Sequence, residues 1–133
     1  MRDLIFLSFF LAASIATKAT ARTDTFRYVV KFNSQCCGVP DAAPLFKSIV
    51  SFKKKNKIKN ISYYLISPMG REGEYYMAFP LKELSKKQII LFIKQVDVAS
   101  LIMKDKGSCT TEQNMVIDKE SLSSRTTILK KSL

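Results

Sequence analysis

The chain has 133 residues, with 22 Lys and Arg against 11 Asp and Glu, a formal net charge of +11, and neither His nor Trp. That length allows one domain with a modest core and not two. Without an imidazole, Ser-His-Asp and Cys-His nucleophile arrangements and His-based zinc sites are excluded, and the positive excess speaks to solubility and anionic partners rather than to fold.

Arg2 precedes an apolar run from Leu4 to Ala16, and Ala19-Thr20-Ala21 follows as a small-x-small triplet. This is the anatomy of a secretory signal peptide over residues 1–21. The run is shorter than the ~20 residues that span a bilayer, so no transmembrane segment is expected after cleavage. The expected product starts near Arg22, carries about +10, and is exported, periplasmic or secreted. For such a chain the expected partners are an envelope protein or an anionic surface polymer, and no nucleic acid.

In the remaining chain, Phe26, Tyr28, Val30 and Phe32 alternate with Arg27, Val29 and Lys31, which predicts a half-buried first strand. A loop with Cys36-Cys37 follows. Asp41 as N-cap, Pro44 in the first turn, and Leu45, Phe46, Ile49, Val50 and Phe52 at helical spacing predict the first helix. Lys53, Lys54, Lys55 and Lys57 suit its C-terminal end, where cations meet the negative pole of the helix dipole. Ile61 to Ile66 reads as a second strand, Ser67 to Gly73 as a turn, and Glu74 to Phe79 as a third strand, giving an antiparallel hairpin. Ser85 and Gln88 fit a capping box, and Ile89, Phe92, Ile93 and Val96 carry a second helix over about 86–97. Leu101-Ile102-Met103 reads as a short fourth strand. The resulting class is α+β: a ferredoxin-like βαββαβ order with an antiparallel four-stranded sheet and two helices on one face. That domain spans 22–109. Residues 110–133 lose periodicity and read as a disordered or loosely packed tail, with a short extra strand near Asn114 to Ile117 as the alternative.

Gly70-Arg71-Glu72-Gly73-Glu74 ahead of an aromatic strand, Leu84-Ser85 opening a helix with Phe92-Ile93, and Cys109 after a short strand resemble small exported bacterial proteins of unassigned function. The resemblance covers residues 26–109. It implies an α/β sandwich and an envelope location, and it carries over no activity and no catalytic residue.

Three constellations could carry chemistry. Cys36-Cys37 lies between the first strand and the first helix, where thiolates could capture a soft ion or do redox work. The pair is adjacent, however, and consecutive Cα atoms ~3.8 Å apart fall below the usual disulfide range. A bridge to Cys109 is also not expected, because a fourth strand ending before Cys109 would put it at the opposite end of the sheet, ~17–26 Å away. Arg71, Glu72 and Glu74 put a guanidinium and two carboxylates in the hairpin turn, where mutual ion pairing in water is the plainer reading than acid/base work, and the turn glycines suit positive φ. Tyr63-Tyr64 and Tyr75-Tyr76 each place one ring on each sheet face, so Tyr64 and Tyr76 are expected on the face away from the helices. No catalytic residue and no cofactor is assigned. The expected function is a non-enzymatic binding domain of the envelope, using the open sheet face or the 70–74 turn. If the tail closes that face, assembly is indicated instead. The alternative is a thiol redox or soft-metal module centred on Cys36 and Cys37.

Overall fold

The computed structural model describes residues 23–103 and 106–133, so the expected signal peptide lies outside the described residues. The elements are β1 (Thr23–Ser34), α1 (Ala43–Asn56), β2 (Ser62–Ser67), β3 (Tyr75–Phe79), α2 (Lys86–Ile102), β4 (Gly107–Asp118) and β5 (Thr127–Ser132). All strand pairs are antiparallel, in the order β4-β1-β3-β2-β5. The α+β class and the two-helix, antiparallel arrangement are as expected. The sheet has five strands where the sequence predicts four.

Alternation lets β1, an inner strand between β4 and β3, feed both faces of the sheet. Tyr28, Val30 and Phe32 turn one way and meet Leu45, Ile49 and Phe52 of α1 and Phe92 and Val96 of α2 in the main core. The Phe92 ring stands edge-on to Tyr28, Phe52 and Phe79, with centroids 5.4–6.2 Å apart. Val29 turns the other way and joins Phe26, Ile66, Ala78 and Ile117 in a smaller cluster that includes no helix residue. Both helices therefore cover one face. Alternation slips between Phe26 and Tyr28, and across the ladder Asn114 takes a left-handed φ of 53°, which Asn tolerates better than most residues.

α2 begins as its sequence dictates, whereas the N-cap of α1 is Ala42, with no side-chain cap, and not the expected Asp41. Ser85 and Gln88 form a complete capping box on α2. Asp41 sits ahead of α1, which starts at Ala43, and its carboxylate accepts the Ala43 amide at 3.0 Å. Two further expectations are corrected. Leu101 and Ile102 form the last turn of α2, not a strand. Three apolar residues cannot outweigh the cooperativity of a capped helix that meets no Gly or Pro before Met103. The tail expected to lack regular structure instead supplies β4 and β5. Their side chains are mostly exposed, so backbone hydrogen bonds hold them and no hydrophobic period announces them. At the far end of β5, the Ile61 and Leu133 amides each bond the other's carbonyl, at 3.2 and 3.1 Å.

β4 ends beside Thr23 at the start of β1, while β5 begins beside Ser67 at the end of β2. These are opposite ends and opposite edges of the sheet. Residues 119–126 therefore cross the helix-free face diagonally, and Leu122 packs on the smaller cluster as they pass.

Two positions generate predictions. A Cβ on Gly107 would lie 2.1 Å from the Asn33 carbonyl oxygen, so only glycine lets β4 begin against β1. Gly107→Ala is expected to lower stability by about 1–3 kcal/mol, read as a shifted urea midpoint. Glu83 accepts from the Ser62 hydroxyl and from the Ser62 amide at 3.3 Å. Burial pushes its carboxyl up, but these bonds and the Lys130 charge outweigh burial and hold it below the usual range. A depressed carboxyl contributes stability above its unfolded value and loses it as pH falls through the folded one. Glu83→Gln should thus cost about 0.5 kcal/mol or less at neutral pH, since the site is largely exposed. The difference from wild type should vanish in acid, below the ordinary Glu range, in urea titrations run across pH.

Candidate functional site

The turn joining β2 to β3 is built from its own backbone. The Met69 amide donates to the Glu74 carbonyl at 2.7 Å, and the Glu72 amide donates to the Glu74 carboxylate at 2.9 Å. Gly73 supplies the positive φ expected of the turn, 88°, whereas Gly70 leaves the space that the Glu74 carboxylate occupies. Glu72 accepts from the Ser34 hydroxyl at the end of β1. Both carboxylates are thus engaged away from Arg71, not paired with it.

The Ser34 contact brings the cysteine loop against the turn. Cys36 and Cys37 are exposed thiols. A hydrogen bond with Cys37 pushes the Cys36 thiol up, and desolvation and the Glu72 carboxylate act in the same direction. This disfavours the thiolate that soft-metal or redox chemistry needs. Cys109 lies elsewhere than the sequence argument placed it. β4 begins at Gly107, so Cys109 is paired with Phe32, at the same end of the sheet as Cys36 and Cys37. Its half-buried thiol faces the helix-covered core, beside Tyr75, and not the exposed pair. Among the described residues no three Cys, Asp or Glu side chains are grouped so as to hold a metal ion.

Tyr64 and Tyr76 lie on the face away from the helices, as expected, but that face is not open. Both rings are half-buried in the smaller cluster that Leu122 covers. The Phe26 ring packs 5.3 Å from that of Tyr64. The Lys31 ammonium stands 5.5 Å from the centre of the Tyr76 ring while bonding Glu112 at 2.5 Å.

The crossing segment creates a site that sequence reasoning missed. Between it and the hairpin turn lies an open cleft of about 1090 Å3, lined by Arg71, Arg125, Ser121, Ser123 and Ser124 among others. The Thr126 hydroxyl donates to the Pro68 carbonyl at 2.7 Å and ties the two walls together. Arg125 sat in an aperiodic, Ser-rich stretch, where only its charge could have marked it.

On the helix side of the same turn an apolar groove of about 430 Å3 runs between Phe46, Tyr63, Leu65, Tyr75 and Met77, with Lys131 at its rim. Lys131 faces this side because it pairs with Tyr63 across β2 and β5. Burial pushes the Tyr63 phenol up and the Tyr75 phenol to about 12, with the Cys109, Asp41 and Tyr63 charges adding to the latter. Both phenols therefore remain neutral hydrogen-bond donors at physiological pH. Pro68 and Gly73 line both the groove and the cleft.

No family model, curated protein or solved structure matches this chain.

The geometry around Cys36 predicts slow modification of its thiol. Iodoacetamide should alkylate Cys36 more slowly at pH 8 than it alkylates a free cysteine, and Glu72→Gln should raise that rate, as read by peptide mass spectrometry.

Proposed function

We propose that this chain is a non-enzymatic binding domain, exported to the cell envelope, that holds an anionic group of an envelope polymer in the cleft between the 68–74 turn and the 119–126 crossing segment. The observation that carries this reading is the pair of guanidiniums, Arg71 and Arg125, lining one cleft beside three serines. A guanidinium offers planar, bidentate hydrogen bonding to phosphate or carboxylate oxygens, and serine hydroxyls add donors beside it. The shared Pro68–Gly73 wall lets a ligand held there lay an apolar extension into the adjoining groove.

Several observations bear on the wider reading. The β4-β1-β3-β2 order, with helices linking β1 to β2 and β3 to β4, supports a ferredoxin-like sandwich to which β5 has been added. Export rests on the N-terminal sequence pattern and on the resemblance to small exported bacterial proteins. The thiol alternative is weakened by the raised Cys36 thiol and by the orientation of Cys109 into the core. The turn is favoured over the sheet face, because Tyr64 and Tyr76 are half-buried against the smaller cluster, on which Leu122 also packs.

The test is calorimetric titration with a short-chain polyphosphate. Arg71→Ala and Arg125→Ala should each weaken binding roughly tenfold, the loss of about one charge-assisted hydrogen bond. Lys59→Ala removes an equal charge away from the cleft and should change little. Equal weakening by all three would mean that net charge, not the cleft, does the binding.

A further inference from the structure

The helix layer carries two features that the cleft does not use. On α2, Phe92, Val96 and Ala99 face the core, yet the opposite side is also apolar. Ile90, Val98, Leu101 and Ile102 are 64–72% exposed and Leu91 is 44% exposed. Together with Lys87 and Lys94 they recur at three- and four-residue spacing, which places them on one stripe of the helix. Val50 on α1 adds another exposed apolar side chain to the layer. Among the described residues, these side chains belong to neither hydrophobic cluster.

The second feature is charge. The two helices contain seven lysines, Lys47, Lys53, Lys54, Lys55, Lys86, Lys87 and Lys94, and a single acid, Asp97. Asp97 accepts the Tyr28 hydroxyl at 2.5 Å and the Thr111 hydroxyl at 2.9 Å. The outer layer thus presents apolar side chains among ammonium groups, and its one carboxylate, the half-exposed Asp97, is hydrogen-bonded to the sheet.

We propose that this layer docks on an anionic bilayer surface, with the α2 stripe entering the headgroup boundary and the lysines reaching lipid phosphates. An interfacial helix has this composition: a branched apolar face with Lys beside it and few acids. Among the described residues no helix is long and apolar enough to cross a membrane, so α2 lies along the surface. Charge argues against a second copy of the chain as the occupant. Stripe-to-stripe contact would oppose lysines to lysines with nothing to neutralise them.

The experiment is vesicle co-sedimentation of the full chain, comparing phosphatidylcholine vesicles with an equal mixture of phosphatidylcholine and phosphatidylglycerol. Wild type should bind the mixed vesicles preferentially and be released by salt. The triple variant Ile90→Gln, Val98→Gln, Ile102→Gln should lose roughly tenfold or more of the affinity, because three apolar side chains no longer leave water. Lys87→Glu with Lys94→Glu should remove the preference for phosphatidylglycerol. All these positions are exposed, and circular dichroism checks that the variants fold; the N-terminal apolar run is identical in every protein compared. Wild type that fails to sediment, or variants that sediment like wild type, overturn the proposal. A wild-type dimer that the triple variant disperses, without lipid binding, also overturns it and makes the stripe a self-association surface.

Discussion

β1 is the strand on which everything else is hung, because it is an inner strand and carries the longest ladder of the sheet. It pairs with β3 from Tyr28 to Phe32 and with β4 along its whole length, from Thr23 to Ser34. A strand flanked on both sides has one admissible register, since a slip of one residue would turn its core side chains to the wrong face. The Tyr28 hydroxyl then reaches Asp97 on α2, which also takes the Thr111 hydroxyl from β4. Burial raises the phenol far above its ordinary value, so it stays a donor at any pH the protein meets. One carboxylate thereby ties β1, the edge strand β4 and the second helix together. It also holds α2 against the sheet from the flank of the helix, while Val98, Leu101 and Lys94 stay exposed.

That arrangement explains which parts of the fold were legible in the sequence. Elements whose side chains enter the core carry their period openly. Phe26 to Phe32, Leu45 to Phe52, the Tyr-rich hairpin and the Ser85 capping box all read correctly as to type. α2 was cut short at Asp97 because its outer side is apolar too, which blurs the helical period just where Leu101-Ile102-Met103 imitates a strand. β5 and most of β4 leave no period for the opposite reason, only the stretch near Asn114 to Ile117 being offered as an alternative strand. An edge strand that buries only Ile117, or none of its side chains, is specified by its neighbour's unpaired amides and carbonyls. Gly107 was a further local hint, and it acquires meaning only when Asn33 is known to lie against it.

The site divides in the same way. Arg71, Glu72, Glu74 and the tyrosine pairs could be placed because they lie on elements the sequence announces. Arg125 and Lys131 could not, since their positions depend on a crossing segment and a strand that exist only once β4 and β5 are paired. The same blindness misdirected the cysteine argument. With the fourth strand drawn before Cys109, that residue falls at the wrong end of the sheet. Drawn from Gly107, it falls beside Phe32, with its thiol turned to the core.

The distribution of charge gives the fold two unlike sides. Lys31 is matched by Glu112, Lys119 by Asp24, and Ser62 and Lys130 lie against Glu83, so the strand layer neutralises much of its own charge. The helix layer does not, for its only acid is hydrogen-bonded to the sheet. On the helix-free side Arg71 and Arg125 converge because residues 119–126 must cross that side to reach the β2 edge. The sheet therefore separates a compact cleft with two guanidiniums from a broad apolar surface studded with lysines. A ligand in the first does not cover the second, so the two can be occupied together. Salt should weaken the broad layer more than the cleft, where short bidentate bonds resist screening better than dispersed ammonium groups do.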